Sequence, residues 1–248
     1  MTTSELNHLV PSAFADAPAP DVSERYQFIP TMPIVDTLLS KGWQIRSARQ
    51  NSIKTDPYAS HRIVFDVPGT PLHKEVGEVW PTATLFNSHN RTRRLSFSVG
   101  FFRTWCSNQA QISVLSADTS KIHILGFGGV NLDVIITDMM SEFAALPRTM
   151  DMMRATTLTP PLQLSLAKRC LSVRRYGDGE QHQLYTAQDA AVVLSPRRES
   201  DISNDLWTCY NRIQENILNG SKGGIQEVTQ NRKINLGLWE TALTFINN

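Results

Sequence analysis

The stretch Arg93-Arg94-Leu95-Ser96-Phe97-Ser98-Val99-Gly100-Phe101-Phe102 decides the fold. Leu95, Phe97, Val99 and Phe101 alternate with Arg94, Ser96, Ser98 and Gly100. That period of two marks a half-buried strand, because successive side chains leave a strand on opposite faces. Residues 83–87 are predicted to be its hairpin partner, joined through Ser88-His89-Asn90-Arg91, a run of turn formers. Further strands are predicted at residues 62–67, 111–115 and 122–125. The connections are too short for parallel crossovers, so about five strands across residues 60–125 form an antiparallel sheet.

Working outward, the period changes to helical on both sides. Upstream, residues 31–42 read as a short helix capped by Thr31, with Val35, Leu38 and Leu39 on its apolar face and Gly42 at its end. Downstream, Leu132, Ile136, Met139, Phe143 and Leu146 make one stripe. Pro147 is expected to kink or end that helix, although Met150 and Met153 continue the stripe. Pro160-Pro161 opens another helix reaching about Leu171. Residues 172–200 are polar and broken by Gly177 and Gly179, and read as a loop. Two helices follow, striped by Leu206, Tyr210, Ile213 and Ile217, then by Leu236, Trp239, Leu243 and Ile246. A flexible connection is expected at residues 219–224. Sheet first and helices after is the α+β order, with the helices packed on the sheet. The expected organisation is an extended arm at 1–25, suggested by the Ala-Pro alternation from Ala13 to Pro20, then a single domain at 26–248. Such an arm is suited to docking on a neighbouring subunit in a homo-oligomer.

The chain has 248 residues, 41% hydrophobic and 19% charged, with a formal net charge of +1. These values exclude a disordered chain, a disulfide scaffold and a histone-like polycation. Cys106, Cys170 and Cys209 include no C-x-x-C pair, which is the usage of a reducing compartment. No run of about 18 apolar residues is present for a membrane span, and the N-terminus lacks the pattern of a secretory signal. The expectation is a cytoplasmic protein of a bacterial host cell, with no membrane partner.

Two stretches carry a family likeness: residues 84–108, and residues 206–220 followed by 234–242. They resemble the phage/plasmid-like protein family, a domain of unknown function encoded by bacteriophages and large conjugative plasmids. The family pattern, an Asn-Ser-His-Asp-Gly turn and then Arg-x-x-Cys-x-Asn, falls on Asn87-Ser88-His89-Asn90 and on Arg103, Cys106 and Asn108. Its later Asn-Arg-x-Gln-Glu helix and Asn-x-x-Leu-Trp fall on Asn211, Arg212, Gln214 and Glu215, and on Asn235, Leu238 and Trp239. Asn90 and Arg91 stand where the family tends to have Asp and Gly, and Gln109-Ala110 replaces Gly-Leu. The resemblance implies a mobile-element setting and supplies no mechanism.

Charge is uneven. Residues 41–117 hold ten Lys and Arg against four acids, and no carboxylate lies between Glu78 and Asp118. Arg91, Arg93, Arg94 and Arg103 occupy that acid-free stretch beside Phe86, Phe97, Phe101, Phe102 and Trp105. Guanidinium groups neutralise phosphates and exposed rings stack on bases, which is how single-stranded nucleic acid is held. The alternative is that the rings are core and the arginines form a solvated turn. Asn87 and His89 offer donors and acceptors to a ligand, or satisfy the turn itself. Arg212 and Glu215, three apart, suit a surface ion pair. Lys168-Arg169, Arg174-Arg175 and Arg197-Arg198 either extend a phosphate track or are solvated.

Nothing pairs Cys106 with His89 as nucleophile and base. The six histidines have no metal-ligand spacing, and residues 126–129 lack the lysine of a phosphate loop. The expectation is a non-enzymatic protein with no cofactor and no metal. It binds nucleic acid, single-stranded DNA in replication or recombination, through Arg91, Arg93, Arg94, Arg103, Asn87 and His89. The alternative is a counter-defence protein, of the anti-CRISPR or anti-restriction type, that blocks a host nuclease complex.

Overall fold

A computed structural model describes residues 1–51, 56–69, 79–103, 109–110, 132–175, 186–218 and 228–246. The predicted strands at 111–115 and 122–125, together with the connection at 219–224, Trp105, Cys106 and Asn108, lie outside these residues. The architecture is α+β, as expected. Four strands run β1 (Gln44–Gln50), β2 (His61–Asp66), β3 (Val79–Asn87) and β4 (Ser96–Arg103), each pairing antiparallel with the next. A fifth, β5 (Gln109–Ala110), has two residues. The sheet therefore begins at Gln44 rather than near residue 60. Strand β1 hides its period behind polar residues and a register shift between Ile45 and Ser47.

The hairpin read from the sequence is present, with Leu85 opposite Phe97 and Ala83 opposite Val99. These four, together with Ile63 and Phe65, are at most 1% exposed and form one apolar face of the sheet. Burying each large side chain contributes about 1.5–3 kcal/mol. Helix α1 (Thr3–Leu9) and helix α2 (Met32–Ser40) both pack on β1, and α2 buries Ile34, Val35 and Leu38. Gly42 follows α2 with φ +85, the left-handed conformation that suits glycine at a helix end.

Residues 1–25 are not an extended arm. Thr2 and Glu5 form a capping box, in which the Glu5 amide donates to Thr2 Oγ1 at 3.2 Å and the Thr2 amide donates to Glu5 Oε2 at 2.6 Å. Helix α1 then drives Leu6 into the interior, followed by Val10 and by Ala13 of the 3-10 turn Pro11–Phe14, all fully buried. The Ala19 amide donates to the His89 carbonyl at 2.8 Å. The segment thus docks on its own chain, because three spaced apolar residues outweigh its Ala-Pro composition.

The chain divides into two compact units, where one domain was expected. One comprises residues 1–105, 113–143 and 227–229; the other comprises 106–112, 144–226 and 230–248. Helix α3 (Leu132–Ala155) contains the division point and continues through Pro147. Its buried residues are Ile135, Met139, Phe143, Leu146, Met150 and Met153. In the first unit, Trp43 and Phe143 meet with ring centroids 6.4 Å apart.

The second unit holds α4 (Pro160–Arg175), α5 (Ala187–Leu194), α6 (Leu206–Leu218) and nearly all of α7 (Val228–Leu243). Helix α5 lies in the stretch read as a loop. It is held by a Thr186–Asp189 capping box and, among the described residues, buries Ala190 and Val193, too short a stripe to register as a period. The stripe of α6 is as read, with Leu206, Tyr210, Ile213 and Ile217 fully buried. That of α7 is rotated: Ile234, Leu238, Trp239, Ala242 and Phe245 are inside, while Leu236, Leu243 and Ile246 are only half-buried. Gly237 explains the rotation. A Cβ there would stand 2.5 Å from Val173 Cγ1 of α4, so this turn is seated where only hydrogen fits. Gly237→Ala is expected to lower unfolding stability by about 1–3 kcal/mol in a denaturant titration, despite alanine's better helix propensity. Adding Val173→Ala should recover much of the loss.

Candidate functional site

Strands β2 and β3 end at His61 and Asn87, which are direct cross-strand partners on one face of the sheet. The chain then turns through Ser88 and His89. Asn87 is 1% exposed, and Ser88 and His89 are fully buried. Ser12 and Thr31, also fully buried, complete the group.

Thr31 is its hub. Its Oγ1 lies 2.9 Å from His61 Nε2 and 3.3 Å from His89 Nε2, and accepts from Asn87 Nδ2 at 3.1 Å. His61 Nδ1 faces the Ala59 carbonyl at 3.0 Å and Ser12 Oγ at 2.9 Å. A carbonyl only accepts, so we assign the His61 proton to Nδ1, and its Nε2 then accepts the hydroxyl proton of Thr31. The remaining lone pairs of Thr31 serve Asn87 and His89. Thr31 was expected to cap α2, yet its side chain makes no cap hydrogen bond; it is committed to the histidines instead.

The turn is tied from all sides. Asn87 Nδ2 also donates to the Ile29 carbonyl at 3.0 Å, and the Ser88 amide donates to Asn87 Oδ1 at 2.9 Å. The His89 amide donates to the Tyr58 carbonyl at 3.0 Å, and the Tyr26 hydroxyl to the Ser88 carbonyl at 2.9 Å. Ser88 Oγ exchanges hydrogen bonds with the Arg93 backbone, donating to its carbonyl at 2.9 Å and accepting from its amide at 2.8 Å. Phe28 lies over His89 with centroids 4.9 Å apart. Asn87 and His89 are thus buried and hydrogen-bonded within the chain, where they fix the turn that carries the arginines.

Burial excludes charge from this group. It pulls the His61 imidazole down to about 3 and that of His89 to about 4, with the Ser12 backbone opposing the shift at His89. His89 Nδ1 is buried without a hydrogen bond. With both rings neutral, the hydrogen bonds around Thr31 join the segments that meet there.

The arginines are placed differently from one another. Arg91 and Arg94 are exposed. Arg91 has φ 56, the left-handed region, at the position where the family pattern has glycine. The carboxylate of Asp21 is 3.9 Å from its guanidinium and is itself exposed. Arg93 is half-buried with its guanidinium 5.2 Å from the centroid of Phe86. Arg103 closes β4, and nothing is described of its side chain. Phe86 is fully buried and Phe97 is 1% exposed, so neither ring is open to a base.

The second group of motif residues is internal too. Gln214 Nε2 donates to Asn235 Oδ1 at 2.7 Å, joining α6 to α7. Arg212 and Glu215 do not pair on a surface. Arg212 Nη2 donates to the Ser203 carbonyl at 3.0 Å and touches Cys209 Sγ at 2.9 Å. Glu215 takes Arg198 through two hydrogen bonds, 3.0 and 2.8 Å, and Arg198 also reaches Asp201 at 3.0 Å. Arg197 donates to Asn216 at 2.8 Å, and Arg169 lies over Phe245. These three basic residues are thus engaged within the fold. Burial pushes the Cys170 thiol up to about 12 and raises that of Cys209. Among the described residues no three His, Cys, Asp or Glu side chains are grouped to hold a metal, and no helix is long and apolar enough to cross a membrane.

Residues 20–239 match the family described as Domain of unknown function (DUF932). The chain belongs to the DUF932 family. UPF0380 protein YfjQ of Escherichia coli (strain K12) is 33% identical over 264 residues, covering 99% of this chain and 92% of the relative. UPF0380 protein YafZ of the same organism is 33% identical over 260 residues, covering 98% and 90%. No solved structure matches the chain. The DUF932 match covers the second cluster and all of the first except Ser12, and the expectation of a family of unknown function holds. Sequence reading missed Ser12, Thr31 and His61 as partners of the turn, because no spacing links residues 30 to 58 positions apart.

Thr31→Val removes the hub while keeping its shape. It is expected to cost about 2–4 kcal/mol, since three buried polar groups lose a partner at once. Both imidazoles are neutral when folded and gain protons more readily when unfolded. Their contribution is therefore complete above about pH 6.5 and is lost as pH falls toward 4, by at most about 1.4 kcal/mol per pH unit for each ring. Urea titrations between pH 7 and 4 should show a shallower loss for His89→Gln than for the natural chain.

Proposed function

We propose that this chain is a mobile-element accessory protein that binds single-stranded nucleic acid, DNA in preference to RNA, through the turn between β3 and β4. The observation that carries the reading is the placement of Arg91 and Arg94. Both are exposed on a turn that is otherwise locked by buried hydrogen bonds. A rigid turn holds its cations in place before a ligand arrives, which lowers the ordering cost of binding. Arg91 strengthens the point. A non-glycine residue in the left-handed region costs roughly 1–2 kcal/mol, and a strained position occupied by a cation points toward use of that cation. The Asp21 contact, exposed on both sides, offsets little of the charge. The mobile-element setting rests on the motif resemblance.

In this reading Asn87 and His89 are positioning residues, and Arg91 and Arg94 are the contacts. A fluorescein-labelled single-stranded 30-mer should titrate to saturation at low micromolar protein in about 50 mM salt, and weaken steeply as salt rises. The Arg91→Glu, Arg94→Glu double variant should bind more than tenfold more weakly with an unchanged melting temperature. Arg91→Gly should weaken binding while raising stability by about 0.5–1 kcal/mol, the relief of the left-handed backbone. A flat anisotropy trace for the folded natural chain would remove the proposal.

A further inference from the structure

The turn that carries Arg91 is flanked by an acidic stretch of the N-terminal segment. From Asp16 to Arg25 the chain holds three carboxylates, Asp16, Asp21 and Glu24, against the single cation Arg25, and all four side chains are exposed. The turn itself belongs to the stretch that has no carboxylate between Glu78 and Asp118.

Two hydrogen bonds fix the acidic stretch to the turn, one on each side of Asp21. Before it, the buried Ala19 donates its amide to the His89 carbonyl at 2.8 Å; after it, the Tyr26 hydroxyl donates to the Ser88 carbonyl at 2.9 Å. The stretch between also folds on itself. The Val22 amide donates to the Ala19 carbonyl at 3.2 Å, and the Tyr26 amide to the Ser23 carbonyl at 2.8 Å. A loop tied at both ends delivers its side chains to a restricted region, and Asp21 arrives 3.9 Å from the Arg91 guanidinium.

A carboxylate and a phosphate present the same feature to a guanidinium, anionic oxygens that accept from its planar fork of donors. Asp21 and a phosphodiester therefore compete for Arg91. Both members of the present pair are exposed, so it is weak and screened by salt, and a strand can displace it. The chain ahead of it is more firmly held, because Leu6, Val10 and Ala13 are fully buried and Ser12 meets His61.

We infer that residues 19–26 form an autoinhibitory strap, in which Asp21 occupies Arg91 in place of a phosphate and yields it when a strand binds. The inference rests on the nucleic-acid reading and adds to it a competitor carried by the same chain. An exposed pair tempers the site without closing it, and its hold is greatest at low salt.

The test is an anisotropy titration of the full chain with the labelled single-stranded DNA across a salt series. Asp21→Asn should bind about two- to fivefold more tightly than the natural chain in about 50 mM salt, with an unchanged melting temperature, and the gain should fade as salt rises. Asp16→Asn makes the same change in net charge from another exposed position and should gain less than half as much. In an Arg91→Gln background the gain from Asp21→Asn should vanish, since the coupling belongs to that pair. An Asp21→Asn affinity equal to that of the natural chain, a gain matched by Asp16→Asn, or a gain that survives in Arg91→Gln would overturn the strap while the turn's role in binding stands. If neither the natural chain nor Asp21→Asn binds the probe, the functional reading falls, and the strap with it.

Discussion

One hydroxyl group, that of Thr31, closes a polar core onto which four separate pieces of chain converge. It meets His61 from β2, Asn87 from the end of β3 and His89 from the turn, while Ser12 reaches the same His61 ring from its other nitrogen. Each partner is buried, so each would carry a desolvation cost of about 1–3 kcal/mol if left alone. Removing one partner leaves others short of a hydrogen bond, which couples the packing of the N-terminal segment, helix α2 and the turn. Everything exposed on the turn inherits its position from this closure.

How much of this was legible depends on the range of the interaction. The β3–β4 hairpin could be read because alternation is a local signal: Leu85, Ala83, Phe97 and Val99 announce their face within a few residues. Helix α6 was legible for the same reason. Thr31 reads as a cap in the sequence because Ser and Thr before an apolar stripe usually cap. What overrides that habit is a pair of imidazoles 30 and 58 residues away. The rotated stripe of α7 has a similar cause: the close approach of Gly237 to Val173 sets the helix phase, and no periodicity within α7 contains that contact. Residues 1–25 show composition losing to placement, since Leu6, Val10 and Ala13 suffice to fold a segment rich in Ala and Pro.

The motif residues teach a related point. Asn87, Ser88 and His89 in one unit, and Asn211, Arg212, Gln214, Glu215 and Asn235 in the other, are polar residues with at most 8% exposure. Their chemistry is spent on one another and on backbone groups, and a motif of this composition signals a shared framework as readily as a shared ligand. Both clusters lie within the region that matches DUF932.

The alternation of β2 and β3 has a consequence for how such chains can change length. Inserting or deleting one residue inside either strand would swap His61 with Arg62, or Asn87 with Phe86, across the sheet, driving a guanidinium among the imidazoles and an imidazole to the opposite face. Neither face tolerates what the other holds. Length variation should therefore be excluded from these two strands, or enter in pairs of residues, and accumulate in the connecting segments instead.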